Sequence, residues 1–277
     1  MRILVTNDDG IDSIGLHVLA RALKPFGEII VAAPDREYSG ASASVGPIPL
    51  TTEKHKAHIE GIDEAWAVSG PPGLIVLLAT IGGFGPPFDL VVSGINPGAN
   101  AGSPVYLSGT VGAAIMARMR GITGVAVSVA SKKSQLGQTL KEGIHNQKWE
   151  SAAEIAAKVV SSLVQNPLPE PAILNINVPN MEVSDIKGWI RAEIGSDFAR
   201  TLPEVTIKPI AGHDDSHYVI MNLGENLPPP AIETDLGAVG QGYVAVTWVS
   251  KYRLEDNPFG DSVESSLDAL FPDASGG

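Results

Sequence analysis

Short runs of almost continuously apolar residues recur along the first two thirds of the chain, and they predict buried β-strands. The runs are rich in Val and Ile, and they cover Ile3–Thr6, Glu28–Ala33, Asp89–Ser93, Gly124–Ala130 and the segment AILNINVPN that begins at Ala172. Strands of this kind are typical of parallel sheets whose two faces are both covered.

Apolar positions with helical spacing lie between these runs. Residues 16–23 carry apolar side chains at i, i+3, i+4 and i+7, and similar patterns cover residues 111–119 and 152–163. Helix-breaking residues follow the three patterns, at Pro25, Gly121 and Pro167. The alternation of strand and helix predicts an α/β fold with a Rossmann-like, doubly wound, mostly parallel sheet between two helical layers.

The pattern changes near Asn180. Three later segments alternate only partly and are typical of hairpin arms: IKGWIRAEI, HYVIMNL and GYVAVTWVS. LPPPAIETD predicts a stiff connector. A last helical pattern consists of Val263, Leu267 and Leu270. We therefore divide the chain into a core of residues 1–180 and an extension of residues 181–277, with a hairpin, a further strand and a C-terminal helix.

Composition narrows the class of protein. Of the 277 residues, 44% are hydrophobic, as in a globular domain, and no apolar run approaches the ~18 residues that a membrane span needs. The chain has 19 Lys and Arg residues and 31 Asp and Glu residues, so its formal net charge is −12. A surface of this charge repels nucleic-acid polymers, although a small phosphorylated ligand could bind where a cation or a helix end offsets the negative charge. Cysteine is absent and no signal-peptide pattern develops, so we expect a cytoplasmic protein.

The first predicted strand ends on two adjacent aspartates, Asp8 and Asp9, in the sequence TNDDG. Two carboxylates side by side repel each other by ~1 kcal/mol in water and by about 4 kcal/mol near a protein surface. A divalent cation beside them would turn that repulsion into attraction, and oxygen ligands suit Mg²⁺, Mn²⁺ or Ca²⁺. The alternative is that Asp9 caps the following turn while Asp8 is exposed to solvent.

Two further polar clusters follow predicted strands, at the carboxyl ends where open α/β sheets bind ligands. In APDREYSGAS, Ser39 could ligate a cation and Arg36 could hold a phosphate, unless this is an ordinary solvated loop. Ser108, Gly109 and Thr110 come directly before the second predicted helix. The N–H groups and dipole at a helix N-terminus favour a phosphate, but Ser108 or Thr110 could equally be a plain N-cap.

The segment AGHDDSHY offers a metal site of another kind. His213 and His217 have the spacing i, i+4, which could bind a metal ion if the segment were helical. Gly212 and Ser216 interrupt it, and it lies between two predicted hairpin strands. We therefore interpret this segment as a solvated turn.

Several motifs occur together in the order found in a known protein family. They are ILVTNDDGIDSIGLHVLARAL, VAAPDREYSGASAS, DLVVSGINPGAN, SGTVGAA and TDLGAVGQGYVAVT, and they span nearly the whole chain. On these motifs the chain resembles the SurE family of survival-protein 5′(3′)-nucleotidases, which are metal-dependent phosphatases. The resemblance implies a Rossmann-like core, a nucleoside monophosphate substrate, and a C-terminal extension used to assemble homodimers or homotetramers.

The resemblance also implies the residues of the active site. It implies one divalent cation per subunit, Mg²⁺ or Mn²⁺, held by Asp8, Asp9, Ser39 and Asn96. The two aspartates are also the expected catalytic residues. The expected phosphate-binding residues are Asn96, Ser108, Gly109 and Thr110.

Four positions depart from the family pattern. GPPGLIV has Pro71 and Leu74 where Thr and Asp are expected, and NAGSPVYLSGT has Pro104 and Leu107 where Asp and Tyr are expected. These loops are expected to form the pocket, so the departures bear on nucleobase preference and catalytic efficiency.

The predicted function is metal-dependent hydrolysis of nucleoside 5′-monophosphates, with 3′-monophosphates as further candidate substrates. One alternative is a phosphate-sensing, Mg²⁺-binding switch like a receiver domain, which would need a phosphoacceptor Asp where Asn96 stands. A dinucleotide-dependent oxidoreductase would need G-x-G-x-x-G after the first strand, and TNDDGIDSIG does not supply it. A non-catalytic family member kept for its assembly surface is the remaining alternative.

Overall fold

The structure is a computed structural model, and it describes residues 1–46, 50–54, 59–130, 146–195, 204–210, 212–222 and 230–249. Its strands are β1 Arg2–Thr6, β2 Glu28–Pro34, β3 Thr52–Lys54, β4 Glu64–Val68, β5 Leu90–Pro97, β6 Thr123–Val129, β7 Ile173–Val178, β8 Trp189–Arg191, β9 Glu204–Ile210, β10 His213–Asn222 and β11 Val244–Val249. Its α-helices are α1 Ile14–Leu23, α2 Pro72–Thr80, α3 Gly109–Met119, α4 Trp149–Gln165 and α5 Asp235–Gly240. Short 3₁₀ turns cover Lys24–Phe26, Ser103–Leu107 and Val183–Asp185.

Nine strands form one sheet in the order β3-β4-β2-β1-β5-β6-β7-β11-β8. The six strands from β4 to β7 in this order are parallel, while β3 and β11 pair antiparallel with their neighbours. From β1 the chain moves outward to β2 and β4, and it then returns to place β5 on the other side of β1. The topological switch point therefore lies between β1 and β5, and ligands bind at such a point in open α/β sheets.

Helices cover both faces of the sheet. On one face, Leu16 and Leu19 of α1 share a buried cluster with Trp149 and Val160 of α4. On the other face, α2 and α3 pack against β1 and β5 in a second buried cluster. Strands covered on both sides need apolar residues at nearly every position, which explains the continuous runs in the sequence. The predicted three-layer α/β fold is confirmed.

The structure corrects several predicted elements in the first part of the chain. The predicted strand Asp89–Ser93 begins at Leu90 and continues to Pro97, so Asn96 lies in β5 and not in the loop after it. The short edge strand β3, its neighbour β4 and the helix α2 were not predicted. Helix α2 is buried over most of its surface, so its sequence PGLIVLLAT has no polar side from which helical periodicity could be detected.

The C-terminal part differs more from the prediction. HYVIMN, the described part of HYVIMNL, does form a hairpin arm, because it lies in β10, which pairs antiparallel with β9. GYVAVTWVS is not a hairpin arm: β11 joins the main sheet between β7 and β8. The helical pattern at Val263, Leu267 and Leu270 lies outside the described residues.

The interpretation of AGHDDSHY as a turn is wrong for most of its length. The positive φ of +81° at Gly212 marks the turn, and β10 begins immediately after it, at His213. Backbone pairing with β9 extends the strand through these polar residues, with a register irregularity between His213 and His217.

Among the described residues, no helix is long and apolar enough to cross a membrane.

Candidate active site

Three strand ends meet at the topological switch point. The aspartates Asp8 and Asp9 follow β1, Ser39 lies in the loop after β2, and Asn96 lies near the end of β5. The main-chain N–H of Tyr38 donates a 2.7 Å hydrogen bond to the carbonyl oxygen of Asp8, which fixes the β2 loop against the acidic pair. Parallel pairing of β1 with both β2 and β5 places all three ends at the same edge of the sheet.

The turn that carries the two aspartates is closed by Asn7. Its side-chain amide donates to the carbonyl oxygen of Gly10 at 3.0 Å, and its side-chain oxygen accepts from the Gly10 N–H at 3.2 Å. Gly10 has a φ of +104°, a conformation that residues with a side chain rarely adopt. The sequence NDDG therefore forms a tight turn that holds both carboxylates just beyond the strand.

Asp8 is buried, and its charge is stabilised by the start of α3. The Thr110 hydroxyl donates a 2.6 Å hydrogen bond to Oδ1 of Asp8. A Cβ atom on Gly109 would lie 2.7 Å from Oδ2, so only glycine allows this approach. Burial raises the pKa of Asp8 above its ordinary value, and the hydrogen bonds from the Thr110 hydroxyl and from the main-chain N–H groups of Asp8, Gly109 and Thr110 offset this rise only in part.

Asp9 has the less favourable environment of the two. Its Oδ2 atom is buried and has no hydrogen-bond partner. Burial, followed by the negative charges of Asp8 and Glu37, raises the pKa of Asp9 to about 8. A half-buried carboxylate with one buried oxygen that lacks a donor, beside a second carboxylate, is stabilised most directly by a cation.

Ser39 and Asn96 carry the two neutral oxygen donors. The Ser39 hydroxyl is exposed and donates to the Glu37 carboxylate at 2.8 Å. The Asn96 side-chain nitrogen donates to the carbonyl oxygen of Gly98 at 2.6 Å. Because the amide is held by its nitrogen, its oxygen is the atom left to bind a cation.

These donors fit a hard divalent cation. The set consists of two carboxylates, a hydroxyl and an amide oxygen, and such oxygen ligands are preferred by Mg²⁺ and Mn²⁺. The unpartnered Oδ2 atom of Asp9 points to the same conclusion. Within the described part of the chain, no three His, Asp or Glu side chains gather as a metal-binding group, so a cation here would depend on the neutral donors as well.

Ser108 is the N-cap of α3, as the structural alternative predicted. Its hydroxyl accepts a 3.1 Å hydrogen bond from the Val111 N–H. Gly109 and Thr110 belong to the first turn of the helix and do not precede it. The positive end of α3 therefore faces the acidic pair, and anions are favoured at this position.

The loop after β2 is also fastened to the turn before α3. Ser42 donates through its hydroxyl to the Tyr106 carbonyl oxygen at 2.7 Å, and its N–H donates to the Leu107 carbonyl oxygen at 3.3 Å. Ser42 has a φ of +52° and is, among the described residues, the one non-glycine with positive φ. The APDREYSGAS loop and the segment that leads into Ser108, which the sequence left separate, therefore form one connected surface.

Sequence reasoning missed two asparagines that support this surface. Asn175 and Asn177 lie in β7, are fully buried, and both donate to the Asn100 carbonyl oxygen, at 2.8 and 3.0 Å. The signal was present in AILNINVPN, because polar amides inside an otherwise apolar strand need buried partners. Their partner lies in the loop after β5, between Asn96 and Ser108.

The positions that depart from the family pattern lie in two segments, the start of α2 and the turn before α3. Pro71 is the N-cap of α2, and Leu74 is buried in that helix. Pro104 and Leu107 lie in the 3₁₀ turn directly before Ser108, and Leu107 is 64% exposed. Leu107 therefore lies exposed directly before the N-terminus of α3.

Comparison with known proteins identifies the family. The family profile described as "Survival protein SurE" matches residues 3–200. The chain belongs to the SurE family. The protein named 5′-nucleotidase SurE from Xanthomonas axonopodis pv. citri is 39% identical over 249 residues, covering 89% of this chain and 88% of that protein. The protein of the same name from Acinetobacter baylyi is 37% identical over 259 residues, covering 89% and 92%.

A solved structure of a SurE protein agrees with the fold of this SurE-family chain. The crystal structure of the SurE protein from Aquifex aeolicus aligns with a TM-score of 0.72 at 29% identity. The alignment covers 98% of this chain and 100% of that one. The similarity therefore extends beyond the parallel sheet to the C-terminal part of the chain.

Proposed function

We propose that this protein is a metal-dependent phosphomonoesterase that hydrolyses nucleoside 5′-monophosphates, and also 3′-monophosphates, to nucleoside and phosphate. The observation that carries the proposal is the acidic pair at the switch point, with a buried carboxylate oxygen of Asp9 that lacks a partner. Family membership supports it, since similar proteins over most of their length bear the name 5′-nucleotidase.

The proposed cofactor is one Mg²⁺ or Mn²⁺ ion per subunit. Its proposed ligands are Asp8, Asp9, Ser39 and Asn96. When bound, such an ion polarises the phosphoryl group and lowers the pKa of a water molecule. Asn96 is a better candidate for the cation than for phosphate, because its side-chain nitrogen is already bonded to Gly98.

The chain itself supplies orientation and a base. In the proposed reaction Asp8 holds and deprotonates the attacking water, and the 2.6 Å bond from Thr110 fixes the carboxylate that does so. Asp9 would offset the positive charge of a bound cation, which would favour its ionised form. The water oxygen forms a bond to phosphorus as the bond from phosphorus to the nucleoside oxygen breaks. The nucleoside oxygen takes up a proton from solvent, and Asp8 afterwards releases to solvent the proton that it took from the water.

The proposed phosphate site is the N-terminus of α3, with Ser108, Gly109 and Thr110. The Gly109 and Thr110 N–H groups lie near the Asp8 carboxylate, where they lower its pKa. A phosphate that approaches this helix end would share the same positive potential. It would also lie within reach of the base, as in-line attack requires.

Release of inorganic phosphate from a panel of nucleoside monophosphates tests the proposal. The purified protein is assayed with Mn²⁺, with Mg²⁺ and after chelation, alongside the Asp8→Asn variant. We expect turnover that needs the metal and falls by about a thousandfold or more in the variant, with the fold retained. Wild-type turnover in the Asp8→Asn variant would refute the assigned role of Asp8.

The alternatives have less support. A receiver-like switch needs a phosphoacceptor aspartate at the end of β5, and the residue there is Asn96. A stable phosphoryl-protein after treatment with acetyl phosphate would favour this switch. A non-catalytic family member would have no need of the four proposed ligands, all of which are present. Absence of turnover with every metal and nucleotide would favour the non-catalytic alternative.

We also propose that the protein assembles into homodimers or homotetramers through the β9–β10 hairpin. Val205, Ile207 and Val219 are 58%, 64% and 67% exposed. Ile207 pairs with Val219 in the hairpin, and Val205 is two residues from Ile207, so the three lie on one face. A contiguous apolar face on an isolated two-stranded ribbon is typical of an interaction surface.

A further inference from the structure

Asp235 is a buried carboxylate that accepts hydrogen bonds from main-chain N–H groups of three segments. Its Oδ2 atom accepts from Gly102 at 2.9 Å, and its Oδ1 atom accepts from Gly195 at 3.1 Å and from Leu236 at 2.8 Å. The residue is completely inaccessible to solvent. A single side chain thus connects the loop after β5 with the segment after β8 and the start of α5.

The loop that contains Gly102 has a second anchor. The N–H of Asn100 donates to the Asn177 side chain at 2.8 Å, and its side-chain nitrogen donates to the Ser128 hydroxyl at 2.9 Å. Ser128 and Asn177 are fully buried in β6 and β7. The loop is therefore held on one side by the parallel sheet and on the other by Asp235.

Both ends of this loop carry residues of the proposed active site. At its start, the Gly98 carbonyl oxygen accepts from the Asn96 side chain at 2.6 Å. At its end, the 3₁₀ turn Ser103–Leu107 follows Gly102 directly and leads into Ser108, the N-cap of α3. A shift of Gly102 would therefore displace Asn96 through Gly98, and it would displace the N-terminus of α3 through Ser108.

We propose that Asp235 is a positioning residue that holds the 98–108 loop, and with it Asn96 and the N-terminus of α3, in the geometry that catalysis requires. The role rests on the proposed phosphomonoesterase function. It makes the C-terminal segment, which contributes no predicted ligand, a necessary part of the active site. Hydrogen bonds to a charged acceptor are about twice as strong as neutral ones, which suits a carboxylate to this task.

The Asp235→Asn substitution tests the role with little change in shape. The amide oxygen can keep the two bonds made by Oδ1, but the NH₂ group then faces the Gly102 N–H, and two donors cannot bond. Thr234→Ala is the matched control, because Thr234 is the adjacent N-cap of α5 and contacts neither Gly102 nor the active site through its hydroxyl.

Two measurements are made on wild type and both variants: steady-state phosphate release, and hydrogen exchange of peptides covering residues 98–108. We expect Asp235→Asn to lower kcat/KM by about tenfold or more, mostly through kcat, and to speed exchange in that loop. We expect Thr234→Ala to change kcat and KM by less than about twofold. Equal effects of the two variants on kcat and on loop exchange would overturn the proposal.

Hydrogen exchange separates failure of this role from failure of the proposed function. If the wild type releases no phosphate, the phosphomonoesterase assignment is wrong, but faster loop exchange in Asp235→Asn alone would still establish the anchor. If Asp235→Asn does not fold, Asp235→Ala replaces it, since it removes the acceptor without opposing two donors. Unchanged loop exchange in the folded variant would refute the anchor whether or not the protein is an enzyme.

Discussion

The Thr110 hydroxyl donates a 2.6 Å hydrogen bond to Oδ1 of Asp8, between residues 102 positions apart in the chain. The bond joins the loop after β1 to the first turn of α3, the two parts of the candidate site that meet at the switch point. It is also the strongest single side-chain influence that keeps the Asp8 pKa from rising further under burial.

Loss of this bond should reduce catalysis without loss of the fold. Thr110→Val keeps the shape of the side chain but removes the donor, so Asp8 becomes both less oriented and harder to ionise. We expect kcat/KM to fall by about tenfold or more. Thr110→Ser, which keeps the hydroxyl, is expected to stay close to wild type. The measurement is metal-dependent phosphate release, and equal rates in both variants would show that the bond has no catalytic role.

Glycine at position 109 should be required by contact with Asp8. A Cβ atom there would lie 2.7 Å from Oδ2 and 2.8 Å from Cβ of Asp8, closer than atoms can pack. Gly109→Ala is therefore expected to displace the carboxylate and lower activity by about a hundredfold, although alanine favours helices. The control is Gly240→Ala in α5, where an added Cβ meets no atom within 4 Å. Similar activity of the two variants would contradict the prediction.

The stability of the metal-free protein should fall as pH rises. Asp9 has a pKa of about 8 in the folded protein and about 3.9 when unfolded, so the folded state binds more protons between these values. The free energy of unfolding is therefore expected to decrease from about pH 4 to about pH 8 and to level off above that. Urea unfolding in the presence of a chelator measures it.

The Asp9→Asn variant identifies the source of that slope. It has no carboxylate to ionise at this position, so we expect it to be more stable than wild type at about pH 8 and similar at about pH 4. Added Mn²⁺ should stabilise the wild type most at high pH, where Asp9 must otherwise carry its charge unpaired. A pH profile that is identical in wild type and variant would rule out Asp9 as the cause.

Ser42 should show an unusual order of stability between alanine and glycine. Both substitutions remove the hydroxyl that donates to Tyr106, but only glycine adopts the φ of +52° without strain. We expect Ser42→Gly to be more stable than Ser42→Ala by about 1 kcal/mol, measured by urea unfolding. The opposite order would mean that the loop does not retain this backbone conformation.

The hairpin proposal predicts a change in mass. Ile207→Asp and Val219→Lys place charges on the apolar face of the β9–β10 ribbon, and a charge is costly to bury in an interface. Light scattering after gel filtration should show a smaller species for either variant than for wild type. Tyr218→Lys, on the opposite face, is the control for a general effect of charge. A wild-type mass in all three variants would place the assembly surface elsewhere.

Much of the candidate site could be predicted because its residues lie in short, unusual motifs. Asp8 and Asp9 interrupt an apolar pattern at a strand end, and Ser108 precedes a helix, so each position was visible locally. Thr110 could be located at the helix start, but its bond to Asp8 could not be predicted, because contacts between distant segments depend on the strand order. Pairing with β6 extends β5 through Asn96, which the sequence had placed in the loop after the strand.

The C-terminal part shows the limits of local patterns most clearly. β11 has the alternation of a hairpin arm, but it pairs with β7 in the main sheet. Alternation predicts a strand and not its partner, because every strand offers the same backbone N–H and C=O groups. TDLGAV belongs to one of the motifs that carry the family resemblance, but nothing local in it shows that Asp235 connects distant segments. Its contacts with Gly102 and Gly195 exist only in the folded chain.

The sequence by itself determined most strands and helices of the core, the class of fold and the chemistry available, because hydrophobic period and residue type act locally. Only the tertiary structure decided which polar groups share one buried environment. The reason is that the cost of burying a charge depends on every segment packed around it. Asp8 accepts a hydrogen bond from the Thr110 hydroxyl in α3, whereas one oxygen of its neighbour Asp9 has no donor.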